Sequence, residues 1–312
     1  MNPTLQALPH PHTVEVFEQH LGPLRHCELI SKSNNKVFKA HTATQVYILK
    51  EVTDVTVDAV QEALLIQQMG QPLVCRQIHL VDTTGPHVVV VAEFITGTSL
   101  DQVLLLGEYS QEQARHWAST LVDTFKKVAG VPALGYGVAG AGKPASFGTW
   151  GAFLASYLQE QKNKGPVMAQ HGFDRLWGLF SILRGHLDAS SPSPTTVLAD
   201  VNTRNFMVDH QGNLRLVHVP IVRHGDPVAP YGELLIHLHG SRLLKEVLAL
   251  QPHPRWQTSF YAAFTAYVVL VFIERFVPLP LHEALPWGGN TPLLSLFHQH
   301  LDACEEELGY GQ

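Results

Sequence analysis

The chain has 312 residues, of which 45% are hydrophobic and 15% are charged, and its formal net charge is −6. This length and apolar content predict a large hydrophobic core divided between two lobes. The acidic balance and the lack of a basic run argue against a nucleic-acid-binding surface.

The N-terminus lacks the basic and then apolar segments of a secretory leader. The most apolar stretch, Ser259–Ile273, is too short to span a bilayer comfortably and is predicted to be a buried helix. Cys27, Cys75 and Cys304 have no metal-binding spacing and suit a reducing compartment. We therefore expect a cytoplasmic protein with no nucleic-acid or membrane partner, whose oligomeric state the sequence leaves open.

Alternating and continuous apolar patterns divide the first part of the chain into helices and strands. In chain order, the predicted elements are the helix Thr13–Leu21, the strands Leu29–Ala40 and Gln45–Glu51, the helix Val57–Met69, and the strands Ile78–Val81 and Val88–Phe94. The last strand is a continuous apolar run, which indicates burial on both faces.

Helical periodicity dominates after the break at Thr96–Thr98. The predicted helices are Leu100–Leu106, Gln111–Lys127, Thr149–Lys162, Asp174–His186, Tyr231–Ala249, Pro254–Phe276 and Thr291–Leu308. A predicted hairpin at 205–219 interrupts them. We expect an α+β protein with a small, mainly antiparallel β lobe and one key helix over residues 1–95, and a larger helical lobe over residues 96–312.

A lysine and a glutamate in the first part suggest a phosphate site. Lys50 follows the apolar run Val46–Leu49 in a predicted strand, and Glu62 lies in the predicted helix that comes next. A strand lysine paired with a helix glutamate is how kinase-type folds fix a lysine on the phosphates of ATP. The alternative is an exposed lysine and a solvated glutamate, which is the default for such residues.

The segment Ser33–Lys36, which includes Asn35, lies between predicted strands. It is either an ordinary polar turn, as Asn and Ser favour, or a phosphate-covering loop that presents backbone N–H groups. It contains no glycine, which weakens the second interpretation.

Asp200 and Asn205 stand five residues apart between two short apolar runs. The carboxylate is suited to accept a proton from an attacking hydroxyl, and the amide oxygen is suited to bind magnesium, which are two requirements of phosphoryl transfer. The alternative is an Asp turn followed by a capping Asn. The order strand, loop, Asp-x4-Asn, strand, turn, strand favours phosphoryl transfer.

Taken in order, these segments resemble the aminoglycoside phosphotransferase and choline kinase family, the small-molecule branch of the protein-kinase-like fold. SNNKVFKA at 33–40 is similar to the family's nucleotide-loop strand, and ILKE at 48–51 carries its strand lysine. LADVNTRN at 198–205 aligns with the family's H-G-D-x-x-x-x-N. GDP at 225–227 aligns with the family's Gly-Asp-Pro, where Asp226 fits as the N-cap of the next helix and Pro227 as its first residue.

The resemblance implies an ATP-dependent phosphotransferase that acts on the hydroxyl of a small molecule. VVVVAEFITGTSL at 88–100 is similar to the family's hinge, so backbone groups around Glu93, Phe94 and Ile95 are expected to meet adenine. Cationic amines are among the acceptors that the family implies, and suitable acids include Glu233 and Glu274. The implied site residues are Asn35, Lys50, Glu62, Glu93 and Ile95 for the nucleotide, Asp200 as the base, and Asn205 for Mg²⁺.

Two positions depart from the family pattern. Leu198 replaces the histidine that precedes the catalytic Asp by two residues. The family's metal-binding Asp falls at His218, counting back from Gly225, or at Val219, counting forward from Gly212. Neither is a carboxylate, and Mg²⁺ prefers hard oxygen ligands, so His218 is a poor candidate ligand.

Three hypotheses remain from the sequence. The protein is an active small-molecule kinase, or a catalytically impaired pseudokinase that binds a nucleotide or small ligand as a regulatory or partner module. The third hypothesis is a transferase that uses His218 as an acid–base group or as a ligand to a softer metal.

Overall fold

The computed structural model describes residues 8–32, 35–52, 76–138, 145–165, 172–218, 221–276 and 291–309. An antiparallel sheet comes first and a mainly helical part follows, as the α+β prediction expects. The first elements are α1 (Pro11–Leu21), β1 (His26–Lys32), β2 (Asn35–His41), β3 (Val46–Val52), β4 (Ile78–Asp82) and β5 (Val88–Glu93).

The five strands form one sheet in the order β1-β2-β3-β5-β4, and every neighbouring pair is antiparallel. Side chains alternate between the two faces of each strand. Tyr47 and Leu49 of β3 therefore pack in a cluster with Phe17 of α1. Ile48 and Lys50 point to the other face, where they line a cleft. Residues 88–92 of β5 are all buried, which confirms that this strand is covered on both faces.

One predicted strand was wrong. Leu29–Ala40 is two strands, β1 and β2, which pair with each other so that Leu29 lies opposite Phe38. The polar Ser-Asn-Asn sequence at 33–35 breaks the apolar run, and such residues favour turns over the interior of a strand. The predicted helix Val57–Met69, and with it Glu62, lies outside the described residues.

Helices and short strands form the rest of the described chain. They are β6 (Gly97–Ser99), α2 (Leu100–Leu106), α3 (Gln111–Ala129), β7 (Gly137–Val138), α4 (Trp150–Lys164), α5 (Asp174–Ser190), β8 (Thr195–Ala199), β9 (Phe206–Asp209), β10 (Leu214–Leu216), β11 (Ile221–Gly225), α6 (Ala229–His237), α7 (Arg242–Leu250), α8 (Arg255–Phe276) and α9 (Leu293–Glu307). The predicted hairpin is β9–β10, and β6 adds to its edge. Strand β11 lies between β7 and β8 in another small sheet.

The predicted helix Tyr231–Ala249 was also wrong, because the chain forms α6 and α7 with a break between them. Gly240 has a φ of 76°, a left-handed conformation that glycine adopts without steric cost. Ser241 then caps α7, since its side chain accepts a hydrogen bond from the backbone N–H of Leu244. These two end signals override an apolar periodicity that continues through the break.

The apolar helix α8 forms the centre of the helical part. Its segment Arg255–Arg275 is long and apolar enough to cross a membrane by length and composition, but 67% of its most apolar window is buried inside the protein. Phe260, Tyr261 and Tyr267 are among its buried side chains, and they belong to a core cluster shared with α4, α5 and α9. This is the buried helix that the sequence predicts.

Candidate functional site

A cleft of about 540 Å³ lies between the five-stranded sheet and the β9–β10 hairpin. It brings together five of the predicted site residues, which are Asn35, Lys50, Glu93, Ile95 and His218. The other lining residues are Ile30, Ser31, Val37, Ile48, Arg76, Phe94, Arg204, Met207 and Val217. Residues from both parts of the chain therefore form its walls.

Lys50 is positioned by the alternation of β3. Its backbone lies opposite Val37 of β2 and Val90 of β5, in the interior of the sheet. Its side chain is only 5% exposed and lines the cleft. A buried lysine needs polar or charged partners, because isolated charges are costly to remove from water. The predicted partner, Glu62, lies outside the described residues.

The connection after β5 follows one edge of the cleft. The Glu93 backbone N–H donates to the carbonyl of Gln77 at 2.8 Å, while its carboxylate accepts from the Gln77 N–H at 3.1 Å. Arg215 of β10 contacts the same carboxylate at 3.0 Å. The Glu93 side chain is thus held within the protein, and the buried Ile95 follows it along the cleft wall.

The loop between β8 and β9 holds Asp200 in an unusual conformation. Asp200 has a φ of 62°, in the left-handed region that few non-glycine residues adopt. Its carbonyl accepts from the Asn202 N–H at 2.8 Å and from Nδ2 of Asn205 at 2.9 Å. The predicted base and the predicted metal ligand are therefore in direct contact. Because the Asn205 amide nitrogen is used in this bond, its amide oxygen is the atom suited to bind a cation.

A buried glutamate, Glu233, accepts a hydrogen bond from the backbone of the residue that follows Asp200. The backbone N–H of Val201 donates to Oε2 of Glu233, on α6, at 2.6 Å. Burial raises the pKa of the Glu233 carboxyl to about 7, against the opposing effects of Arg223 and this hydrogen bond. Glu233 thus holds the loop, and its interpretation from the sequence as a candidate acid for a cationic acceptor stays a prediction.

Asp200 itself is exposed as a residue, yet its carboxyl is partly shielded from water by the surrounding protein. This desolvation raises the pKa of Asp200 above its ordinary value. A hydrogen bond from Asn202 and the nearby His218 and Arg223 oppose the shift. A carboxylate in such a setting is a stronger base than one in water, which suits proton abstraction from a hydroxyl.

His218 lies immediately after the hairpin and beside Asn205. The backbone N–H groups of Val217 and His218 donate to the Asn205 carbonyl at 2.9 and 3.4 Å. The His218 residue is exposed and lines the same cleft as Lys50. The alternative position, Val219, lies outside the described residues.

The side chains around this position do not fit Mg²⁺. They offer the Asp200 carboxylate, the Asn205 amide and the His218 imidazole, whereas Mg²⁺ selects oxygen ligands in octahedral geometry. Among the described residues, no group of three His, Cys, Asp or Glu side chains has an arrangement that could hold a metal ion. The predicted magnesium ligand His218 is therefore not supported by its chemistry.

Asp226 is positioned differently from its predicted N-cap role. Helix α6 begins at Ala229, after a turn in which the Ala229 N–H donates to the Asp226 carbonyl at 3.1 Å. One oxygen of the buried Asp226 carboxylate accepts from the Val228 N–H at 2.9 Å, a capping-type bond, and the other accepts from Gln257 and Tyr261 of α8 at 2.7 Å each. It ties the start of α6 to the central helix, and burial raises its pKa.

Sequence reasoning missed two cleft arginines. Arg204 lies within the Asp200–Asn205 loop, so its position in the motif was a usable signal. Arg76 precedes β4, and the backbone N–H of Arg76 donates to the Leu216 carbonyl at 3.2 Å. No local sequence pattern identifies Arg76, because its place in the cleft depends on this long-range contact.

Comparison with known proteins agrees with this geometry. The model of the family described as "Phosphotransferase enzyme family" (APH) matches residues 26–217. No curated protein matches the chain in sequence.

Several solved structures have a similar fold. One is a thermostable mutant of the aminoglycoside phosphotransferase APH(4)-Ia in a ternary complex with AMP-PNP and hygromycin B, with 10% identity, a TM-score of 0.65, and coverage of 96% of this chain and 99% of that chain. Another is a putative aminoglycoside phosphotransferase from Ralstonia eutropha JMP134, with 15% identity, a TM-score of 0.64, and coverage of 94% and 98%. The choline kinase LicA from Streptococcus pneumoniae has 12% identity, a TM-score of 0.60, and coverage of 94% and 97%. The likeness establishes the predicted two-lobed protein-kinase-like fold.

Proposed function

The chain belongs to the phosphotransferase enzyme family, and from this premise we propose that it transfers a phosphoryl group from ATP to the hydroxyl of a small molecule. One observation carries the proposal: the Asp200–Asn205 turn lies next to a cleft that also contains the buried Lys50. Arg204, within this turn, lines the cleft together with Lys50. A base and a positioned cation near one cleft are what phosphoryl transfer requires.

The cleft has chemistry that suits a nucleotide. Its volume of about 540 Å³ lies within the usual range for small-molecule sites. The connection around Glu93 and Ile95 offers backbone groups and apolar surface for a base, while Lys50 offers a cation for phosphates. When bound, ATP supplies the phosphoryl group that is transferred.

Asp200 is the proposed base. Its carboxylate takes the proton of the acceptor hydroxyl as the oxygen of that hydroxyl bonds to the γ-phosphorus of ATP. The bond from this phosphorus to the bridging oxygen breaks and ADP leaves, and the raised pKa of Asp200 favours the proton transfer. Asn205 positions Asp200 through its carbonyl, and Glu233 positions the same loop through Val201. No step is assigned to Mg²⁺, because the side chains around His218 do not fit it.

The test is ATP turnover with a panel of hydroxyl acceptors that includes hygromycin B and choline. Asp200→Asn is the informative variant, since Asn also tolerates a left-handed backbone and so keeps the loop conformation. We expect its kcat to fall by about 10²- to 10⁴-fold, the usual contribution of a general base.

Asp174→Asn is the matched control, because Asp174 is an exposed residue in the first turn of α5. It is expected to keep the wild-type rate. Turnover that is equal in Asp200→Asn and the wild type would contradict the role of Asp200.

The His218 position favours a second candidate function, a pseudokinase that binds a nucleotide or small ligand without transfer. In an active kinase, electrostatic stabilisation of the transferring phosphoryl group is usually the largest catalytic contribution. An imidazole in place of a metal-binding carboxylate removes part of it. ATP binding without turnover on any acceptor would support this second function over the first.

A further inference from the structure

Basic side chains outnumber acidic ones in the described wall of the cleft. Lys50 lies on β3, Arg76 precedes β4, and Arg204 lies in the loop that follows Asp200. Glu93 is the one acidic residue among the described lining residues, and Arg215 contacts its carboxylate at 3.0 Å. This wall therefore carries an excess of positive charge, which favours a polyanionic ligand.

The three basic side chains of the cleft wall also interact with other groups of the protein. Arg204 lies 3.6 Å from Asp101, and Lys50, Arg76 and Arg204 each have further interactions. The Arg204 side chain is 60% exposed, and an exposed ion pair of this kind contributes little stability. The weak pair with Asp101 is therefore no strong competitor for a phosphate group that enters the cleft and contacts Arg204.

At the position where the family binds its metal ion, neither His218 nor Asn205 supplies a negative charge. His218 offers a neutral or cationic nitrogen, and Asn205 offers a neutral oxygen. Asp200 is the carboxylate of the described loop between β8 and β9, and it interacts electrostatically with His218. A divalent cation would meet one carboxylate and several positive charges there, which is unfavourable for binding it.

From this combination we propose that the cleft binds the polyphosphate of a nucleotide directly through Lys50, Arg76 and Arg204, without a divalent cation. The proposal rests on the proposed nucleotide site, and it states which side chains neutralise the negative charge of the polyphosphate. Arginine is well suited to this role, since its planar guanidinium binds phosphate oxygens through two parallel hydrogen bonds. Because the charges are partly exposed, binding weakens as salt concentration rises.

Calorimetric titration of the full chain tests the proposal, with ATP, AMP and adenosine as ligands, in excess EDTA and in excess magnesium chloride. We expect ATP to bind in EDTA at least as tightly as in magnesium, and adenosine to bind much more weakly than ATP. Arg204→Gln is expected to weaken ATP binding in EDTA by about tenfold, the value of one charge-assisted hydrogen bond. Adenosine binding should be unchanged in this variant.

Arg115→Gln is the matched control, because Arg115 is an exposed residue of α3 that does not line the cleft. It should bind ATP as the wild type does. His218→Asp provides an independent arm, since it restores a carboxylate at the metal position. It is expected to weaken ATP binding in EDTA and to strengthen it in magnesium.

The outcomes separate this proposal from the proposed function. ATP binding that requires magnesium in the wild type would overturn metal-free binding and leave the nucleotide site intact. A failure to bind ATP under both conditions would overturn the nucleotide site, and the metal-free proposal with it. Equal affinity of Arg204→Gln and the wild type in EDTA would overturn the role of Arg204.

Discussion

Asp200 is the one non-glycine residue with a positive φ in the described part of the chain. Such a conformation costs about 1–3 kcal/mol and persists only when the surrounding structure enforces it. Here the surroundings are the amide of Asn205, the Asn202 N–H and the buried Glu233. The strained residue and its supports therefore form one unit, in which Glu233 is a positioning residue.

Glu233→Leu tests this support. It leaves the Val201 N–H buried without its acceptor, which should lower the free energy of unfolding by about 1–3 kcal/mol. The Asp200 loop then relaxes, so kcat should fall while KM for ATP changes little. Urea denaturation and steady-state kinetics measure the two effects.

Glu233→Gln is the conservative control, since its amide oxygen still accepts from Val201. It should retain most of the stability and most of the kcat that the leucine variant loses. Equal kinetic defects in the two variants would contradict a role through the hydrogen bond to Val201.

At the scale of elements, α1 is attached to the sheet by a polar cluster in which the buried Thr13, Glu51 and His87 are joined by the backbone of the exposed His10. The His10 backbone N–H donates to the Glu51 carboxylate, and the hydroxyl of Thr13 lies 2.7 Å from Nε2 of His87. Glu51 and His87 are 1% and 7% exposed. Since Glu51 is the neighbour of Lys50 on β3, the attachment of α1 is coupled to the strand that carries the cleft lysine.

This cluster predicts that acid loosens α1. Burial lowers the pKa of His87, although Glu51 opposes the shift, so the native protein binds a proton less readily than the unfolded chain. The stability from His87 is therefore complete above its ordinary pKa of about 6.5 and is lost as pH falls through the lowered value. Burial would raise the pKa of Glu51, but hydrogen bonds from His10, Thr13 and Lys36 hold it below normal, and its contribution is lost at still lower pH.

Hydrogen exchange of residues 11–21, corrected for the intrinsic pH dependence, measures this loosening. We expect protection to fall as pH decreases below about 6.5, and His87→Gln to remove that fall. His116→Gln is the matched control, because His116 is exposed on α3. A pH dependence that persists in His87→Gln would contradict the role of this histidine.

The sequence predicted most elements because their apolar periodicity is strong, as in β5 and α8. It failed where one predicted element is two in the structure, between Lys32 and Asn35 and at Gly240–Ser241. In the site, the spacing of Asp200 and Asn205 was a local pattern and could be predicted. Glu233 and Arg76 act through contacts with residues far away in sequence, so no local pattern identifies their roles.

At the scale of the whole molecule, side chains and backbone connect the five-stranded sheet to the helical part across the cleft. Glu93 of β5 and Arg215 of β10 form an ion pair at 3.0 Å, and the Arg76 N–H donates to Leu216 at 3.2 Å. The ion-paired side chains are 33% and 25% exposed, so water and salt weaken their attraction.

Replacement of the pair tests how the two parts are held together. Glu93→Gln and Arg215→Gln should each lower the free energy of unfolding by less than about 1 kcal/mol, because the pair is partly exposed. A double-mutant cycle by urea denaturation gives the coupling energy directly. A coupling well above this value would mean that the ion pair, rather than backbone contacts, holds the two parts together.

The contacts of Asp226 also set an order of events during protein synthesis. Its carboxylate is buried, and its partners Gln257 and Tyr261 follow it by 31 and 35 residues. A nascent chain that ends before α8 can offer this carboxylate the Val228 N–H but not Gln257 or Tyr261, so one of its oxygens lacks its native partners. The Asp226 carboxylate therefore acquires its full set of hydrogen bonds only after α8 leaves the ribosome, later than the synthesis of the strand that carries Lys50.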